Sequence, residues 1–365
     1  MNDVALSRRR LIASATAAGF AVAAGTAAFH GGGRNNARAQ DMAATPATPA
    51  ALGPAIPEEF NVETNWPYEN YDLSATRAAK GTNISSETIS TLGEAFVFPI
   101  QASAAFGALT ANPTIAGDTL YVQDASANIY ALNKQTGEQV WAAMYNDVVP
   151  SGGPNGTANA YGRVYSTVGG VGDVICLDEA TGQEIWKTNI RGPLDEGITT
   201  APLVYDSMVY VSTIPGHSEG FYSGGQRGVI HALNGETGEV VWYLDTTTDN
   251  LWGNPTINSG GGFWHPPSVD EEGKLYVGIG NAAPYPGAEG YPWASSRPGP
   301  NDYANNILKI DPETAIFDWT LNVNPGDVFD LDNQLTPILT EVDGRKVAIT
   351  SGKHGYVVCV DRGTG

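Results

Sequence analysis

Ile129-Tyr130-Ala131-Leu132-Asn133, then Thr136-Gly137-Glu138-Gln139-Val140-Trp141, is the stretch that decides how this chain folds. The pattern returns as Val174-Ile175-Cys176-Leu177-Asp178 with Thr181-Gly182-Gln183-Glu184-Ile185-Trp186, and as Ile230-His231-Ala232-Leu233-Asn234 with Thr237-Gly238-Glu239-Val240-Val241-Trp242. It returns again as Ile307-Leu308-Lys309-Ile310-Asp311 with Thr314-Ala315-Ile316-Phe317-Asp318-Trp319, where the glycine is lost. A last copy, Val357-Val358-Cys359-Val360-Asp361, runs into Thr364-Gly365. In each copy a short apolar strand ends in Asp or Asn, whose side chain can close a turn on its own backbone. Thr-Gly completes the turn, because glycine adopts positive φ without penalty. A second strand then delivers Trp, a broad flat group suited to packing on a neighbouring unit.

Outward from this unit, a further hairpin precedes the repeat, as in Pro113–Val122 and Pro202–Val211. Two hairpins make about four strands per unit, which predicts an all-β fold, a β-propeller of four-stranded blades. The Trp spacings of 45, 56 and 77 residues predict loop insertions in the later blades. Composition agrees: 44 Gly and 23 Pro argue against a helical bundle, and a hydrophobic fraction of 42% supports a real core. The formal charge of −20 disfavours a nucleic-acid binder, since phosphate needs a basic face. The two cysteines, Cys176 and Cys359, fill the same slot of different repeats, so no bond between them is expected and both read as buried thiols.

The N-terminus carries Ser7-Arg8-Arg9-Arg10-Leu11-Ile12, a weakly apolar Ala/Gly run to Phe29, and the small-x-small site Ala37-Arg38-Ala39. Residues 1–39 therefore read as a signal peptide of twin-arginine type. Export to the periplasm or outside the cell is expected, with no membrane span once the signal is removed. Residues 40–58 read as a Pro/Ala-rich linker and 59–365 as the propeller. The chain stops inside a docking turn, before its Trp. The expectation is a C-terminally incomplete propeller, about five to six blades long.

The Asp-x-x-Thr-Gly-x-x-x-Trp turn resembles the tryptophan-docking repeat of the pyrroloquinoline quinone (PQQ) dehydrogenases, eight-bladed propellers that oxidise alcohols. Asn65-Trp66-Pro67 and Asp72-Leu73-Ser74-Ala75-Thr76-Arg77 resemble that family's approach to its first blade. Gly260-Gly261-Gly262-Phe263-Trp264 and Gly278-Ile279-Gly280-Asn281-Ala282-Ala283-Pro284 resemble its cofactor stretch. The resemblance implies Trp264 as the floor under the quinone and Asn281 as a metal ligand through its amide oxygen. Pro325-Gly326-Asp327-Val328-Phe329-Asp330-Leu331-Asp332 resembles the catalytic loop, which implies Asp330 as base and metal ligand. Asp332 resembles the extra carboxylate of the lanthanide-dependent branch, so the implied metal is Ca²⁺ or a lanthanide. Lys353 matches a cation that contacts the quinone oxygens, and Thr199 a threonine that contacts the cofactor.

The chain also departs from the family. The metal-binding glutamate falls in an insertion in which Glu219 is the one carboxylate. The paired cysteines are missing near Asn155-Gly156, and the arginine that follows them aligns with Tyr161. The implied function is a PQQ-dependent alcohol dehydrogenase acting on a small alcohol and passing electrons to a cytochrome-type acceptor. The alternative is a non-catalytic propeller serving as a scaffold or binding module.

Overall fold

In the computed structural model, which describes residues 51–365 except 62–64, 103, 105, 217–222 and 249, every docking repeat ends one antiparallel sheet. The first blade is β1 (Thr114–Ala116), β2 (Thr119–Gln123), β3 (Ile129–Asn133) and β4 (Gln139–Ala143), paired in that order. The second is β5 (Ala158–Ala160), β6 (Arg163–Val168), β7 (Asp173–Asp178) and β8 (Glu184–Asn189). The third is β9 (Leu203–Tyr205), β10 (Met208–Ser212), β11 (Arg227–Asn234) and β12 (Val240–Asp245). It is extended by β13 (Ser259–Gly261), which runs parallel to β11 and pairs with β16 (Ala282–Ala283).

The fourth blade is β14 (Ser268–Val269), β15 (Leu275–Gly278), β19 (Asn306–Asp311) and β20 (Ile316–Asn322). A small hairpin, β17 (Gly287–Ala288) with β18 (Tyr291–Pro292), lies in the loop between β16 and β19. The fifth sheet has three strands, β21 (Ile338–Val342), β22 (Arg345–Ser351) and β23 (Val357–Asp361). The molecule is thus the β-propeller expected from the repeat, with five blades among the described residues.

The turns close as the residue types require. Asn133 Oδ1 accepts from the Gln135 and Thr136 amides, and Asp311 Oδ1 from Glu313 and Thr314. The docking tryptophans then join blades. The indole N–H of Trp141 donates to Glu179 O, of Trp186 to Gly235 O, of Trp242 to Pro312 O, and of Trp319 to Arg362 O. Each acceptor lies in the next blade's turn. A tyrosine from the second strand of each blade meets its Trp: Tyr121, Tyr165, Tyr210 and Tyr276 sit about 6 Å from Trp141, Trp186, Trp242 and Trp319. The core is therefore a series of blade-to-blade layers rather than one central mass.

First strands of neighbouring blades lie side by side, β1 with β5, β5 with β9, and β14 with β21. The segment 65–77 crosses them. Trp66 pairs with Ile115, Pro67 O accepts from Asn159, Leu73 O from Val269, and Ser74 O from Leu339. Tyr68, Glu69, Asn70 and Ala75 are buried along its length. It is a strap that bonds to the first, second, fourth and fifth blades.

Some expectations lie outside the described residues, namely the signal over 1–39 and Glu219. The end of the expected linker is held to the propeller: Leu52 N–H donates to Ser207 Oγ, Asp206 N–H to Ala55 O, and Tyr161 O–H to Pro54 O. Cys176 is buried and free, as read, whereas Cys359 is free but exposed. That corrects the expectation of two buried thiols: Cys359 lies on β23, at the edge of the fifth sheet among the described residues. Among the described residues no helix is long and apolar enough to cross a membrane.

Candidate active site

Four of the residues expected to act together do meet. Lys353 Nζ lies 3.0 Å from Asp330 Oδ2 and 2.5 Å from Asp332 Oδ2. Asn281 N–H donates to Asp332 Oδ1 at 2.6 Å. Lys353 N–H donates to Asp332 O, which locks the strand end after β22 onto the aspartate loop. Gly352 permits that approach, because a Cβ there would stand 1.9 Å from Asp332 O.

Trp264 joins the same site through its neighbours. Gly280 N–H donates to Gly262 O, and Gly261 N–H to Asn281 O, so the loop after β13 and the loop after β15 are stitched together. The indole lies between two glycines. A Cβ on Gly280 would come within 2.9 Å of its Nε1, and one on Gly153 within 2.9 Å of Cε3 and Cζ3. The ring is half-buried, and Thr199 Oγ1 stands beside it, 2.8 Å from the same Gly153 position. Thr199 is 1% exposed and its Oγ1 has no hydrogen-bond partner.

The electrostatics follow from burial. Asp332 is buried, and desolvation pushes its carboxyl up to about 6 against the pull of the Lys353 ammonium. Desolvation also raises Asp330, again opposed by Lys353. Burial alone would lower Lys353, yet Asp332 and Asp330 hold it above the ordinary lysine range. Two carboxyls with raised pKa values around one cation, on a loop, are what proton-transfer sites commonly contain.

A metal and a planar quinone can be tested against these residues. Asp330 Oδ1 is buried with no partner, so it is an oxygen in want of a positive group. With Asp332 and the Asn281 amide oxygen it would make an all-oxygen donor set, which suits a hard cation. Among the described residues no cluster of three or more His, Cys, Asp and Glu side chains could hold a metal, so such a site rests on two carboxylates and an amide, with Lys353 between the carboxylates. For the quinone, a half-exposed indole cleared by Gly153 and Gly280, with the orphaned Thr199 hydroxyl at its side, fits a flat ring with polar edges. The residues present fit both groups.

Tyr161 is not part of this site. It lies in the β5–β6 turn, where its hydroxyl donates to Pro54 O and accepts from Ser207 N–H. The segment Ser151–Gly156, where the paired cysteines were expected, instead brings Gly153 against the indole and ties Asn155 to Thr110 and Asp124.

Three features escaped the sequence reading. His265, next to Trp264, has its Nδ1 2.5 Å from Oε1 of the buried Glu69 on the strap. Asp327 accepts from the amides of Phe329 and Leu331, on either side of Asp330. Arg297 is buried and bonds Asn301, Pro284 and Asp327. A single arginine in a long loop of an acidic chain was the one available signal for the last.

Fold and site together define a tryptophan-docked β-propeller with an indole, an amide and a carboxylate pair at one place. Residues 187–365 match the family model described as "Glucose/ethanol/alcohol dehydrogenase, beta-propeller domain", and 69–149 match that of the outer membrane protein assembly factor BamB. The chain is 27% identical over 340 residues to the quinohemoprotein alcohol dehydrogenase of Comamonas testosteroni, covering 82% of this chain and 45% of that protein. It is 25% identical over 333 residues to quinohemoprotein alcohol dehydrogenase ADH-IIG of Pseudomonas putida, covering 82% and 44%. The crystal structure of the Comamonas enzyme superposes with a TM-score of 0.73 at 25% identity, over 86% of this chain and 50% of that one. A europium-containing methanol dehydrogenase shares the fold, with a TM-score of 0.69 at 24% identity over 84% and 58%. The chain is similar to the PQQ-dependent alcohol dehydrogenases in sequence and in fold. It spans about half the length of the curated relatives it matches.

Proposed function

We propose that this chain carries the catalytic site of an exported PQQ-dependent dehydrogenase that oxidises a small alcohol. The observation that supports it most is the orphaned Asp330 Oδ1, raised in pKa by burial and set beside Asn281, Asp332 and the indole of Trp264. Bound PQQ, with its metal, would supply a two-electron acceptor for the hydride of the alcohol carbon.

The chain's own residues do the rest. Asp330 takes the hydroxyl proton, and its raised pKa makes it a stronger base than an exposed aspartate. Asn281, Asp332 and the orphaned Oδ1 of Asp330 would hold Ca²⁺ or a lanthanide. The extra carboxylate of Asp332 favours the higher charge. Trp264 supports the quinone face, and Thr199 offers its unsatisfied hydroxyl to the quinone rim. Lys353 carries the positive charge that favours negative charge developing nearby. Electrons would leave to a cytochrome-type acceptor, and export would follow the twin-arginine signal.

The test is reconstitution of the purified chain with PQQ and either Ca²⁺ or La³⁺, followed by reduction of an artificial acceptor over a panel of alcohols. Turnover that disappears in Asp330→Asn is the expected result. No turnover under either metal would sink the reading. A second reading, a non-catalytic propeller, draws on the match of 69–149 to the BamB model. It predicts no quenching of tryptophan fluorescence by PQQ, whereas the enzyme reading predicts quenching that Trp264→Ala abolishes.

A further inference from the structure

Two loops must be held in step for Asn281 and Asp330 to serve one site. At the front they share the bond from Asn281 N–H to Asp332. At the back they share a guanidinium. Arg297 Nη1 donates to Pro284 O at 2.8 Å, three residues beyond Asn281. Arg297 Nη2 donates to Asp327 O at 2.8 Å, three residues before Asp330. Its Nε donates to Asn301 Oδ1 at 3.1 Å, and Asn301 N–H donates to Pro325 O at the start of the aspartate loop. Asp327 carries the constraint forward. Its carboxylate accepts from Phe329 and Leu331 N–H, the amides on either side of Asp330, which is held at φ +61°.

We propose that Arg297 is a positioning residue that sets the distance between the Asn281 loop and the Asp330 loop. Its three bonded acceptors are two backbone carbonyls and a side-chain amide. Burying a cation is costly even with the Asp327 carboxylate nearby to offset part of it, and an apolar side chain of similar volume would fill the space more cheaply. A planar fork, however, fixes three directions at once, which neither an apolar chain nor a lysine does. Burial lowers the Arg297 pKa to about 10, so the fork keeps its charge at neutral pH. This inference rests on the metal-and-quinone reading above for its functional meaning, but the clamp itself can be tested without either group.

The experiment compares the full chain with Arg297→Lys, which keeps charge and stem, and Arg297→Ala. Hydrogen exchange of the segment 326–332 is expected to speed up by at least about tenfold in both variants, with strands 129–143 unchanged. Millimolar guanidinium added to Arg297→Ala should slow it again. Separately, Tb³⁺ luminescence lifetimes in H₂O and D₂O count waters on the ion. The variants should gain at least one water and bind about tenfold more weakly.

Unchanged exchange in 326–332, or equal acceleration across 129–143, would overturn the clamp. If the unaltered chain takes up no Tb³⁺, the metal reading falls and the exchange result alone judges Arg297. Should Arg297→Ala fail to fold, Arg297→Lys decides. Failure of both to fold would mean that Arg297 holds the fold rather than the site, and the proposal would be wrong.

Discussion

Gly153 has no room for a side chain. A methyl there would stand 2.8 Å from Thr199 Oγ1 and 2.9 Å from two ring atoms of Trp264, all at a point where the main chain crosses the indole. Gly153→Ala should therefore turn the ring out of place and abolish PQQ quenching of tryptophan fluorescence. It should lower stability by only about 1–3 kcal/mol, the usual cost of overpacking. Asp332 makes the opposite kind of prediction, about charge rather than shape. Asp332→Ala removes one carboxylate of the donor set and should weaken La³⁺ binding more than Ca²⁺ binding, by at least about tenfold in the ratio of affinities. Titration calorimetry with each ion checks it. Equal losses for both ions would show that Asp332 does not choose between them. The motifs that hold Trp264, Asn281, Asp330 and Asp332 were legible in the chain, because they are short and resemble a known family's, and the resemblance alone gave these residues their expected roles. The pairing of Lys353 with the two aspartates was not, since Lys353 arrives from another hairpin.

The blade-ending turn is the element on which the fold depends, and its one irregular copy is informative. Gly238 has φ +77°, and a Cβ would come within 2.6 Å of the Trp186 ring. Ala315 fills the corresponding place in the fourth blade, buried at φ +55°. A left-handed conformation costs a non-glycine residue roughly 1–2 kcal/mol. Ala315→Gly should thus stabilise by about 1 kcal/mol and Gly238→Ala should destabilise by more than that, as urea midpoints would reveal. The strand β11 adds a pH dependence. Desolvation lowers His231 to about 4, with its Nδ1 bonded to Val229 O. The unfolded chain takes up this proton below about pH 6.5 while the folded one does not, so stability is present above that pH and is lost as pH falls toward 4. The loss at this residue should be about 3 kcal/mol, and His231→Gln should flatten that part of the stability profile. A slope unchanged in the variant would assign the acid sensitivity elsewhere.

Across the whole molecule the strap over 65–77 is what joins blades that are distant along the chain. Asn70 Nδ2 donates to Thr336 Oγ1, 266 residues away, and the Tyr68 side chain is fully buried. Tyr68→Ala should cost about 3–5 kcal/mol, the range for emptying a large buried aromatic site. It should also split a single unfolding transition into two by calorimetry, because blades four and five would lose their tie to one and two. A single transition would mean that the tryptophan docking alone keeps the blades cooperative.

Read by itself, the chain determined its blades, their turns, the docking tryptophans and the family it resembles. Those features are local: an Asx side chain closing its own turn, a glycine at positive φ, an indole a fixed number of residues later. Only the tertiary structure decided that Glu69 would meet His265, that Gly153 would border the indole in place of paired cysteines, and that Arg297 would bridge two loops. These contacts join residues 13 to 196 positions apart, and no sequence period links them. They exist because a propeller brings the inner ends of its blades together, and that convergence is a property of packed sheets rather than of any one segment.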